Sequence, residues 1–147
     1  MKKVSRHIYL SEAQCHCGCG QYFLKPPIVY LFDETREYLG IPIKINSAFR
    51  CLPYQMYLRR IGLKAATISP HCEGFALDMA IPLELMVNNL IDAFTVISQR
   101  LGMLKPRFGH WLYEESFLHV DSVYYGFKPY TAIENPKPQL WKPGAEW

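Results

Sequence analysis

The sequence has no run of about 18 apolar residues, the length that a membrane-spanning helix requires, so no span is expected. Its first residues, MKKVSRHIYLSEAQ, carry basic side chains but no continuous apolar stretch followed by a small-residue cleavage site. No secretory signal is therefore expected, and the chain reads as cytoplasmic as synthesised. Charge of one sign is not massed anywhere: the formal net charge of +3 is spread along the chain, and no basic stripe points to nucleic acid. Internal repeats are missing too. Five cysteines are an odd number, which excludes a framework in which every thiol is paired within the chain.

What is present is an ordinary folded composition. Of 147 residues, 50% are hydrophobic and 20% are charged, enough for one domain with a single core and far from the composition of disordered chains. The domain is expected over residues 1–130. The proline-rich end, with ENPKPQLWKPGAEW, is expected as an extended tail over 131–147.

After KPP, the segment IVYLFDETREYLG places apolar residues at helical spacing and stops at Gly40. PIKINSAF alternates, with Ile43, Ile45 and Ser47 on one face and Lys44, Asn46 and Ala48 on the other, so a strand is expected with Arg50 near its end. PYQMYLRRIG reads as a short helix, GFALDMAI as a strand, and LELMVNNLIDAFTVISQRLG as a long helix closed by Gly102. RFGHWLY and FLHVDSV read as two further strands joined through EES. Helices and strands mix without a regular βαβ alternation, which predicts an α+β fold with a small antiparallel sheet flanked by helices.

The chemistry gathers around SPHCEGFALD. Strand periodicity puts Ala76, Asp78 and Ala80 on one face and Phe75, Leu77, Met79 and Ile81 on the other. An acid between two small side chains leaves room over its carboxylate, and Gly74 permits a close turn before it. Taken alone, Asp78 reads first as a solvent-facing acid on a half-exposed strand, with the alanines incidental. In FLHVDSV, however, Phe117, His119 and Asp121 again share one face. His71, Asp78 and His119 together supply two imidazoles and a carboxylate, the ligand set of a catalytic zinc site that keeps one position open.

The pattern S-x-H-x-x-G-x-A-x-D is matched by Ser69, His71, Gly74, Ala76 and Asp78, with NSAFRC before it and FLHVD after it. This ordered set resembles peptidase family M15, the zinc D-Ala-D-Ala carboxypeptidases and peptidoglycan peptidases, from about Leu10 to Gly126. LSEAQCHCGCG is also similar to the cysteine-containing N-terminal segment of small members of that family. The resemblance implies a zinc D-Ala-D-Ala peptidase-like fold and zinc bound by His71, Asp78 and His119. It also implies that Arg50 contacts the substrate carboxylate or polarises the scissile carbonyl. The implied activity is hydrolysis of a peptide bond in peptidoglycan stem peptides, by a carboxypeptidase or an endolysin-like endopeptidase. A phage lysis or virion route to the cell wall is the corresponding expectation.

The sequence departs from the family where the catalytic acid often stands, three residues before the last zinc histidine. That position is Ser116. Glu115, on the face of His119 if the strand continues backward, is the first candidate for the general base and Asp121 the second. Asp121 also suits a group that orients His119. Ser69 and His110 are candidates for substrate contact, and His110 reads equally as a structural residue. Because the base is open, a catalytically inactive zinc-containing cell-wall-binding or virion module stands as the alternative function. Cys15, Cys17, Cys19 and Cys51 can bind a second zinc, form disulfides or remain free thiols. Cys72 has no base and orienting partner that would make it a nucleophile. Tyr54, Tyr57, Trp111 and Tyr113 suit either a ligand groove or the core.

Overall fold

A computed structural model describes residues 1–61, 69–103, 106–111, 117–122 and 140–141, with residues 110, 111, 140 and 141 described by backbone alone. In chain order the elements are α1 (Leu10–Ala13), α2 (Pro26–Leu39), β1 (Ile45–Ser47), α3 (Leu52–Arg60), β2 (Ala76–Ala80), α4 (Val87–Arg100), β3 (Arg107–Trp111), β4 (Phe117–Asp121) and β5 (Leu140–Trp141). The sheet order is β1-β2-β4-β3-β5. The first four strands pair antiparallel, giving the expected α+β architecture, and β5 adds in parallel to β3. Leu140 and Trp141, within the segment expected as a tail, thus extend the sheet edge. No described helix is long and apolar enough to cross a membrane.

The alternation read from the sequence sorts the two faces of the sheet. Leu77 and Met79 from β2, Leu118 and Val120 from β4, and Phe108 from β3 join one core with Ile28, Leu31 and Phe32 of α2 and Leu90, Phe94 and Ile97 of α4. Burying an aliphatic or aromatic side chain of this kind contributes about 1.5–3 kcal/mol. The polar residues of the same strands, Asp78, His119, Asp121 and Arg107, therefore occupy the other face, where Asp78 stands opposite His119 and His119 opposite Gly109.

α2 begins at its prolines and ends on Gly40, whose N–H donates to the Arg36 carbonyl at 3.0 Å. α4 starts later than the apolar pattern from Leu83 suggests. Leu83 and Met86 are exposed, and Asn89 Oδ1 reaches back to accept the Met86 N–H at 3.2 Å, capping the helix there. Glu12 does two jobs at the short α1: its carboxylate accepts the Tyr9 N–H at 3.0 Å and the Ile45 N–H at 3.2 Å. That second bond fastens the N-terminal segment to β1.

One expectation for β1 is corrected. Simple alternation puts Ser47 on the face of Ile45, but the register shifts between them, so Ile45 pairs with Met79 while Ser47 pairs with Asp78. The irregularity inserts one residue, as a β-bulge does, and turns Ser47 away from the core to the polar face.

Candidate metal centre

Three elements bring the polar face together: the turn before β2, β2 itself and β4. His71 enters from a turn whose shape depends on Gly74. Gly74 has φ 77°, and a Cβ there would stand 2.5 Å from the Phe23 carbonyl oxygen. Its own carbonyl accepts the Lys25 N–H at 2.9 Å, so the turn is pinned to the start of α2. Ser69, expected at the substrate, is buried, and its Oγ accepts the His71 backbone N–H at 3.2 Å. It shapes the turn that carries the ligand.

His71 and His119 are both buried, with ring centroids 5.2 Å apart, and Asp78 lies between them. His71 Nε2 is 3.2 Å from Asp78 Oδ2, and His119 Nδ1 is 2.8 Å from Asp78 Oδ1. His71 Nδ1 lies 2.6 Å from the Ala48 carbonyl oxygen. A carbonyl only accepts, so Nδ1 carries the proton and the Nε2 lone pair is aimed at the space beside Asp78. Despite its nearness to Asp78, Nε2 lacks the alignment of a hydrogen bond and is buried without a hydrogen-bond partner. A buried imidazole nitrogen left in this condition is costly unless something else occupies its lone pair.

His119 is oriented in the same manner from the opposite side. Its Nε2 lies 2.8 Å from Asp121 Oδ2, and Asp121 is fully buried. Arg107 Nε donates to Asp121 Oδ1 at 2.8 Å and Arg107 Nη2 to Oδ2 at 3.2 Å. This forked ion pair keeps Asp121 an acceptor, so Nε2 of His119 carries a proton and Nδ1 faces Asp78.

The electrostatics follow from that geometry. Burial holds the His71 pKa below its ordinary value of 6.5, which favours the neutral ring with a free lone pair. Burial opposes a charge on His119 as well, but the hydrogen bonds to Asp121 and Asp78 prevail and push its pKa up to about 9. For Asp78 burial works to raise the value, and His71 and His119 outweigh it, holding the carboxyl well below its usual range.

A metal ion fits these residues. One ligand atom from each of His71, Asp78 and His119 lies within 4.8 Å of the others, with His71 Nε2 and His119 Nδ1 both turned toward the Asp78 carboxylate. Arg50 borders the trio: its Nη2 donates to Asp78 Oδ2 at 3.1 Å, its Nε to Ser47 Oγ and its Nη1 to Gln55 Oε1, both at 3.2 Å. The side chain is thus held on three sides.

Comparison with family models, with curated proteins and with solved structures finds no match to this chain. The site rests on its own geometry.

Of the remaining candidates, Glu115 lies outside the described residues. His110 stands opposite Leu118, one place out of step with the row of Asp78, His119 and Gly109. Tyr54 and Tyr57 stack along α3 with centroids 6.3 Å apart, and Tyr57 is half exposed; Trp111 is described by backbone only and Tyr113 lies outside the described residues. Cys72 is no nucleophile in this setting, because burial pushes its thiol up to about 11. The four other cysteines come together at a second place, between the N-terminal loop and the residue before α3.

Sequence reasoning missed four partners: the Ala48 carbonyl, Ser47, Gln55 and Arg107. Arg107 carried a faint signal, since it alternates with Gly109 at the start of a strand. For Ser47 the sequence signal pointed to the wrong face, because a bulge is invisible to a count of two.

Proposed function

We propose that this protein is a zinc-dependent peptidase that hydrolyses a peptide bond in peptidoglycan stem peptides. The observation that carries the proposal is the convergence of His71 Nε2, an Asp78 oxygen and His119 Nδ1, with the other nitrogen of each ring held by the Ala48 carbonyl or by Asp121. The order of motifs around these residues resembles that of the M15 peptidases and supplies the substrate class. Zinc bound there supplies Lewis-acid polarisation of the scissile carbonyl and activates a water molecule.

The protein's own residues do the rest. Asp121, buried and engaged on both oxygens, holds His119 in place and is a positioning residue in this reading. Arg50, fixed by Ser47 and Gln55, keeps a permanent positive charge beside the ligands, where it stabilises negative charge on the substrate. Glu115 is assigned the general base, taking the proton from the attacking water and returning it to the leaving amine.

The engagement of Asp121 also favours the second reading, a zinc-containing wall-binding module. If Glu115 does not act, the acid beside His119 is already committed to Arg107. Incubating zinc-loaded protein with purified muropeptides, with products read by mass spectrometry, separates the two. Cleavage by wild type and its loss in Glu115→Gln supports the peptidase. Saturable binding of muropeptides by wild type with no product overturns it in favour of the module.

A further inference from the structure

We propose that Cys15, Cys17, Cys19 and Cys51 hold a structural zinc ion that clamps the N-terminal loop to the segment carrying Arg50. The inference does not depend on the peptidase reading.

The sulfur positions carry it. Cys15 Sγ is 3.5 Å from Cys17 Sγ and 3.7 Å from Cys51 Sγ, and Cys17 and Cys51 Sγ are 3.6 Å apart. Four thiolates arranged tetrahedrally around zinc, each about 2.3 Å from the ion, stand about 3.8 Å from one another. Three edges of such a tetrahedron are therefore in place, and Cys19 lies within 4.8 Å of the other three sulfurs. A disulfide joins only two sulfurs, at about 2.05 Å, and gives no reason for three to form a nearly equilateral triangle. Nor is there room between these sulfurs for an iron–sulfur cluster, whose several irons spread the thiolates outward. A single tetrahedral ion with an all-sulfur shell fits zinc, and mononuclear iron is the alternative that metal analysis tests.

The backbone is built to bring short-spaced thiols to one point. Gly18 and Gly20 both have positive φ, and the Cys15 N–H donates to the Gln21 carbonyl at 2.9 Å, closing the loop on itself. Gln14 Nε2 adds a bond to the Gly20 carbonyl at 3.0 Å. The Cys51 N–H donates to Cys15 Sγ at 3.4 Å, the type of contact that stabilises a metal-bound thiolate. Cys15 and Cys51 are 36 residues apart in sequence, so the ion joins distant parts of the chain.

The place of the clamp gives it consequence. Cys51 directly follows Arg50, whose N–H donates to the His71 carbonyl at 3.3 Å, and the Cys51 carbonyl accepts the N–H of Gln55, a partner of the Arg50 guanidinium. The Ala48 carbonyl that orients His71 lies in the same segment. A tetrathiolate ion here fixes the backbone from which both groups act.

The test uses the full chain, purified with reductant and loaded with zinc or cobalt, with metal content and spectrum as readouts. Wild type is expected to bind about two equivalents of zinc, and His71→Ala to retain about one. The equivalent retained by His71→Ala, replaced by cobalt, is expected to show sulfur-to-cobalt charge transfer and the intense visible bands of a tetrahedral sulfur site. Cys51→Ser loses this equivalent; if that variant does not fold, the cobalt spectrum and X-ray absorption of His71→Ala decide alone. Iron in place of zinc, a spectrum without sulfur ligation, or freely reactive thiols at Cys15, Cys17, Cys19 and Cys51 in zinc-loaded protein would overturn the proposal.

Discussion

His71 donates through Nδ1 to the backbone carbonyl of Ala48 at 2.6 Å, and this one bond decides which ring nitrogen faces Asp78. It also leaves Nε2 buried and without a hydrogen-bond partner, so removing the ring removes a ligand that has no substitute in place. His71→Ala is expected to lose one equivalent of bound zinc while keeping its fold. At free zinc of 100 times Kd, wild type gains about 2.7 kcal/mol of stability from an occupied site, and the variant loses that increment. Zinc titration followed by thermal unfolding checks this, with the cysteine-bound equivalent already saturated in both proteins.

The fork from Arg107 to Asp121 is buried on both sides. Arg107→Met leaves a buried carboxylate without its guanidinium and is expected to cost about 3–5 kcal/mol in urea unfolding. Adding Asp121→Asn restores much of that loss, because the unpaired charge is gone and the side-chain amide oxygen still accepts from His119. Asp121→Asn alone is expected to lower zinc affinity about 10- to 100-fold by loosening His119. A competition titration with a chromophoric chelator separates the affinity effect from the stability effect; unchanged affinity would remove the orienting role.

Zinc binding is expected to depend on pH with a defined sign. In the metal-free protein His119 has a pKa of about 9, so at neutral pH its Nδ1 must release a proton before it can bind a cation. Apparent affinity at this site therefore rises with pH through the neutral range and flattens above about 9. The same shift acts on metal-free stability in the opposite direction. A histidine raised from 6.5 to about 9 contributes stability that is full below 6.5 and is lost as pH rises through about 9. Calorimetry of His71→Ala against wild type in buffers of different ionisation enthalpy counts the protons released at this site, and urea melts across the same range follow the stability.

Gly74→Ala tests the turn without touching a ligand. The substituted residue would hold φ 77° and press its Cβ to 2.5 Å from the Phe23 carbonyl oxygen. Backbone strain alone costs about 1–3 kcal/mol, and the clash adds to it. Reduced zinc affinity together with this destabilisation shows that the turn places His71; destabilisation with unaltered affinity shows that the ligand survives a shifted turn.

Arg50→Lys keeps a charge but loses the planar fork that reaches Ser47, Gln55 and Asp78 at once. With muropeptide substrate it is expected to lower kcat/KM by about tenfold or more, equivalent to about 1.4 kcal/mol of transition-state stabilisation. Zinc content is expected to stay at the wild-type level, which distinguishes a substrate-facing role from a structural one.

The sequence alone determined what its local periodicities encode. Helices α2 and α4, the strands around Asp78 and His119, and the division of each strand into an apolar and a polar face all follow from spacings of 3.6 and 2, which neighbouring residues carry by themselves. The three metal-ligand candidates were legible for the same reason: each lies on or beside a periodic segment with a gap in its apolar pattern. The tertiary structure alone decided the pairings. Register sets Asp78 against His119 and Arg107 against Asp121, and register depends on the packing of strands far apart in sequence. The bulge that turns Ser47 toward Arg50 and the backbone carbonyl that orients His71 leave no mark on side-chain order. A backbone oxygen belongs to every residue, and only the folded chain determines which one a histidine meets.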